Sequence, residues 1–156
     1  MSSVALGLGL VSQSVFVGGN VAIVSIMIPL LRQNFVSDST RVKQFSLLYD
    51  RGAVLMASSA LVSTASYAWL YFYGPQLYAG DFLISALASF SPLPVTWLVV
   101  YPSVARMKLM LANESAQVNS DEHILKWTWA SSFRAALFSV GCVSSLHYVL
   151  SSVFPG

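Results

Sequence analysis

Residues 4–31 read VALGLGLVSQSVFVGGNVAIVSIMIPLL. The run holds no Asp, Glu, Lys or Arg, and about 20 helical residues are enough to cross roughly 30 Å of hydrocarbon. Three further stretches share this character: 52–73, 82–101 and 135–153. A membrane β-barrel would need alternating segments of about ten residues. These runs are continuous and twice that length, so the sequence predicts an all-α, integral-membrane four-helix bundle, with 1–156 as one domain.

Composition agrees. Of 156 residues 56% are hydrophobic, 13% aromatic and only 9% charged, and the mean hydropathy is +0.68. A soluble domain carries about 25% charged residues. The net charge is +2 and the cations are scattered, which argues against nucleic-acid binding. A single cysteine, Cys142, excludes an internal disulfide and a CxxC-type metal site. The N-terminal segment lacks a basic n-region and is too long for a signal peptide, so it reads as a retained span.

The connections set the topology. All eight Lys and Arg lie in or at the edges of the first (32–51) and third (102–134) connections. The positive-inside rule puts those on the cytoplasmic side. Both termini and the Gly74–Asp81 turn are then expected on the lumenal or exterior side, where Tyr71, Tyr73, Tyr78 and Phe82 form an aromatic rim. In a eukaryote the expected membrane is the endoplasmic reticulum. Ser120, followed by Asp121 and Glu122, is a helix start, from which the chain can run helical into the fourth span.

Polar and irregular features inside the spans are candidates for function. Asn20, beside Gly18 and Gly19, suits either a helix–helix hydrogen bond or a site. Pro29, Pro92 and Pro94 each remove a backbone donor, so the third span is expected to be broken and to wall a pocket or form a packed kink. Tyr49-Asp50-Arg51-Gly52 opens the second span. Trp127, Ser131 and Arg134 share one helical face, and Arg134 can snorkel outward or turn inward to pair with Asp50. His123 and His147 are about 36 Å apart on a continuous helix and cannot share a metal; no histidine box, GxSxG elbow, P-loop or GxGxxG is present. Pro29, Tyr49 to Gly52, Thr96 to Pro102 and Trp127 to Arg134 all fall at one end of the bundle, which is where a pocket is expected.

Several of these segments together resemble the anthrone oxygenase-like membrane proteins. Ser25 to Leu31 is similar to the family's run closing in Pro-x-Leu. Leu48-Tyr49-Asp50-Arg51-Gly52 is similar to its Tyr-x-x-Gly entry, Pro94-Val95-Thr96 with Pro102-Ser103 to its third-helix segment, and Trp127 to Arg134 to its Trp with an Arg seven residues later. Val104 and Ser131 stand where the family usually has Asn.

The resemblance implies a four-helix membrane enzyme that oxidises an anthrone to an anthraquinone with O2 and no cofactor or metal. That chemistry needs an apolar slot, a base and a cation where negative charge develops. Trp97, Trp127, Tyr101 and Phe133 are the candidate walls, with Thr96, Pro29, Ser131 and Asn20 as further binding residues. Asp50, Tyr49 or His123 is the candidate base, and Arg134 the oxyanion partner. The expected partners are an apolar aromatic small molecule, O2 and membrane lipid, with a homo-oligomer as a further expectation. The alternative is a non-catalytic membrane subunit or scaffold, packed on small residues such as Gly141 and Ser145.

Overall fold

The computed structural model describes residues 2–33, 37–112 and 120–153. The described residues form helices and short turns only. Helix α1 (Ser2–Ala22) continues through a π turn (Ile23–Met27) into α2 (Ile28–Leu31). Helix α3 runs Asp38–Tyr73, and α4 (Ala79–Phe90) follows a short turn. After Ser91 the chain resumes as α5 (Pro92–Val95), a second π turn (Thr96–Val100) and α6 (Tyr101–Ala112), and α7 spans Ser120–Val153. Among the described residues four helical stretches are long and apolar enough to cross a membrane: Ser3–Leu31, Asp38–Tyr73, Gln76–Leu109 and Asp121–Ser152. Each packs against the next, and the fourth closes on the first.

The helices outrun the apolar segments that announce them. At 1.5 Å per residue the 36 residues of α3 cover about 54 Å, well beyond the hydrocarbon thickness. The polar stretch 38–51, read from sequence only as connection, is therefore helical. Ser37 caps it: its Oγ accepts from the Thr40 N–H at 3.4 Å, and Asp38 sits in the positive first turn. Residues 101–112 are helical too. The helix expected from Ser120 onward is present, although the Ser120 side chain lies outside the described residues, as do 34–36, 113–119 and the chain's last three residues.

The two cationic connections meet at one end. Arg32 Nε and Arg41 Nη1 both reach Asp121 Oδ1, at 3.3 and 3.2 Å, and Arg41 Nε donates to the Leu31 carbonyl at 2.8 Å. The opposite end gathers Ala5, Leu6, Tyr67, Leu70, Phe82 and Tyr148. There Asp81 accepts from Ser144 and faces His147 Nδ1 at 3.0 Å.

Outside, the bundle is apolar: Val54 and Trp129 are each 73% exposed, as a lipid-facing surface requires. Inside, small and polar residues hold the spans together. Gln13 of α1 is fully buried. Its Oε1 accepts from Tyr67 Oη at 2.7 Å and Ser145 Oγ at 3.2 Å, and its Nε2 donates to Ser89 Oγ at 3.3 Å. Ser89 also meets Ser63 Oγ at 2.9 Å. One amide thus ties all four spans. Gly141 permits this approach: a Cβ there would lie 3.3 Å from Ser85 Cα and 3.0 Å from Ala88 Cβ. The sequence pointed to Gly141 and Ser145 as packing residues but not to Gln13.

Replacing Gln13 with Leu leaves the Tyr67 hydroxyl without its acceptor. The variant is expected to lose about 1–3 kcal/mol of stability in thermal unfolding in detergent, and adding Tyr67→Phe should recover part of it.

Candidate functional site

The prolines and the π turns shape the site. Proline cannot donate to the carbonyl four residues back. Ahead of Pro29, the chain widens into the π turn Ile23–Met27, where the Ile28 N–H bonds to the Ile23 carbonyl. Ahead of Pro102, the π turn Thr96–Val100 does the same, with the Tyr101 N–H on the Thr96 carbonyl. Pro92 occupies the first turn of α5, where no donor is needed. The third span is irregular at Ser91 and at its π turn, but Ser91 keeps α-helical angles and bonds to the Leu87 carbonyl, so the break expected from the prolines is only a local irregularity in one helical stretch, Gln76–Leu109. The wider turns were not foreseen: Pro29 and Pro102 each act through the π turn before them.

Between the two π turns lies a cavity of about 200 Å³. A single water needs on the order of 10–15 Å³ by this measure, so the space suits an organic molecule. Phe16, Met56 and Leu93 close its deep side, and Phe16 stacks on Phe138 at 4.1 Å. Ile23, Leu48, Gly52, Ala53, Thr96 and Trp97 line its flanks. Tyr49, Tyr101, Trp127 and Arg134 complete the wall. Four spans contribute, near the end that carries the cations.

Arg134 is the polar centre of this wall. It is 7% exposed. Nη1 donates to Thr96 Oγ1, and Nη2 donates to Ser131 Oγ at 2.6 Å. The Thr96 hydroxyl donates a hydrogen bond to the Pro92 carbonyl at 2.7 Å, so its lone pairs are directed toward the guanidinium. Among the described residues Arg134 has no carboxylate partner, and its Nε is buried without an acceptor. Burying a charge without a counter-charge is costly. Tyr49, also on the wall, is close enough to interact electrostatically with Arg134.

The structure revises the sequence expectations at several positions. Asp50 does not pair with Arg134. It is exposed and grips Lys108 Nζ through both oxygens, at 2.7 and 2.8 Å; it does not line the cavity, because its side chain leaves α3 on the solvent side of Tyr49. His123 Nδ1 is engaged with Ser103 Oγ at 3.1 Å and is also off the wall. Phe133 is 57% exposed and faces outward. Pro29 is exposed and not part of the lining, and Ser131 acts through Arg134. Asn20 does line the cavity, with Nδ2 donating to the Phe16 carbonyl at 2.9 Å and contacting Met56 Sδ at 3.5 Å. Val104, where an Asn is usual in the family resembled, is 2% exposed inside an apolar cluster with Phe45, Met107 and Trp127. Phe16, Ile23, Leu48 and Met56 were missed because an apolar residue on a span reads the same whether it faces lipid, core or cavity.

Among the described residues no group of three or more His, Cys, Asp or Glu side chains is placed to hold a metal ion. In comparison with known proteins, residues 45–144 match the family model described as Anthrone oxygenase. That match includes Tyr49, Thr96, Trp97, Tyr101, Trp127, Ser131 and Arg134, and begins after Asn20 and Pro29. No curated protein and no solved structure matches the chain.

The exposed Asp50–Lys108 pair is worth little. Asp50→Asn is expected to cost less than about 1 kcal/mol in thermal unfolding. Thr96→Val, which strips an acceptor from the buried guanidinium, should cost about 1–3 kcal/mol in the same measurement.

Proposed function

The chain belongs to the anthrone oxygenase family, and from that premise we propose that it oxidises an anthrone-type aromatic polyketide to the anthraquinone with O2, without a metal or organic cofactor. The observation that carries this reading is the buried Arg134 guanidinium on an apolar wall, held by two neutral hydroxyls and, among the described residues, without a carboxylate partner. Such a group is matched to a ligand that becomes negatively charged on binding or reaction.

An anthrone is a flat tricycle with an acidic methylene opposite its ketone. Loss of a methylene proton gives the enolate, with the charge on the former ketone oxygen. Arg134 stabilises that oxygen, and the water-poor cavity strengthens the attraction. Tyr49, among the candidate bases the one on the wall, relays the proton: its oxygen takes the methylene proton as its own hydroxyl proton passes to water. The electron-rich methylene carbon then bonds to O2, the resulting peroxide takes a proton, and loss of water forms the second carbonyl. Anthrone plus O2 becomes anthraquinone plus H2O, so O2 is the only oxidant required. Trp97 and Tyr101 flank the ring, and their outer faces, 71% and 58% exposed, offer a path for an apolar substrate from the bilayer.

In this reading the cationic end faces the cytoplasm, and the membrane in a eukaryote is the endoplasmic reticulum. A non-catalytic scaffold would be served by a solid bundle at that end, and the cavity favours the enzyme instead.

The test is quinone formation and O2 uptake by the detergent-purified protein, supplied with an anthrone, against the spontaneous background. One O2 should be consumed per quinone, unaffected by a chelator. Arg134→Gln is expected to lower kcat by about 10²–10³, and Tyr49→Phe by about 10²–10⁴. Background rates in the unmodified protein would refute the reading.

A further inference from the structure

The wall carries a second buried donor. Trp127 is 6% exposed, and its indole Nε1–H has no hydrogen-bond partner among the described residues. Buried N–H groups rarely go unpaired, and a lone one is costly. The only other such side-chain atom among the described residues is Arg134 Nε. Both side chains line the cavity and both belong to α7, seven residues apart, which is about 10 Å along the helix axis. Phe45 meets the indole edge-on, at 5.3 Å between ring centres and 88° between planes, and so fixes its plane.

Building on the oxygenase reading, we infer that Trp127 Nε1–H binds an oxygen on the edge of the ligand's central ring opposite the edge that faces Arg134. The ligand class is then a flat fused-ring molecule with acceptor oxygens on two opposite edges. Across such a molecule the donor-to-donor distance spans two carbonyl bonds, the ring and two hydrogen bonds, on the order of 10 Å. Two helical turns separate the backbone positions of Trp127 and Arg134 by about the same length. In the reaction Arg134 holds the original ketone oxygen, and Trp127 holds the oxygen that arrives at the methylene carbon. That second oxygen ends as a neutral carbonyl, which a neutral indole donor matches. The quinone satisfies both donors and the anthrone only one, so the product binds more tightly than the substrate.

The test uses the full chain in lipid nanodiscs and two tricycles that do not turn over, 9,10-anthraquinone and anthracene, with empty nanodiscs as background. Anthraquinone should bind about tenfold more tightly than anthracene. It should also shift the Trp127 indole N–H resonance in ¹⁵N-tryptophan-labelled protein, whereas anthracene should not. Trp127→Phe keeps an aromatic wall and is expected to lose about tenfold in anthraquinone affinity with anthracene affinity unchanged, which also reports that the variant is folded. Anthraquinone binding with an unmoved Trp127 resonance would overturn the inference, by showing that the Phe45 ring face satisfies the indole, and would leave the oxygenase reading intact. If neither tricycle bound above background, both would fall.

Discussion

A buried cation needs an answering group, and among the described residues Arg134 has hydroxyls for partners and no carboxylate. Thr96 and Ser131 satisfy two of its nitrogens, enough to fix its geometry but not to neutralise it. Its surroundings follow from where the charges lie: the apolar runs 4–31, 52–73, 82–101 and 135–153 contain no acid, and Asp50, the carboxylate expected to pair with it, is taken by Lys108 at 2.7 Å. The guanidinium is thereby held in place, at a cost to stability, for a partner the protein does not supply.

The rest of the architecture serves that placement. Pro92 opens α5, and its carbonyl accepts from both the Thr96 N–H and the Thr96 hydroxyl, which orients Thr96 toward Arg134. The π turns ahead of Pro29 and Pro102 widen the backbone on both flanks of the cavity. Deeper in the bundle, Gln13 links four spans through Tyr67, Ser89 and Ser145, and the Phe16–Phe138 stack separates that locked region from the cavity. The bundle is closely packed and hydrogen-bonded at its polar knot and open near its charged end, the arrangement that a site on a supporting scaffold requires.

Much of this was legible in the sequence. Four charge-free runs gave the spans, and the clustered cations placed both long connections at one end. The convergence of Tyr49, Thr96, Trp127 and Arg134 followed from topology alone. What was not legible has physical causes. Helix ends beyond the apolar runs are set by capping and tertiary contacts, so 38–51 and 102–112 read as connection. Hydropathy does not separate lipid-facing from cavity-facing apolar residues, which concealed Phe16 and Met56 and misplaced Phe133. Pairing is a matter of reach: Asp50 belongs to the same motif as Tyr49, yet their side chains leave α3 in different directions. Gln13 was overlooked because a single amide in an apolar run shows no pattern; its significance comes from the partners that other spans bring to it.

The most direct test of an anion-seeking Arg134 is the ionisation of a bound chromophore. A hydroxylated anthraquinone changes colour when its phenol ionises, and can be titrated in nanodiscs with and without the protein. The account predicts ionisation at a lower pH in the protein than in empty nanodiscs, with the difference abolished in Arg134→Gln. Ionisation at the same or a higher pH in the unmodified protein would contradict it.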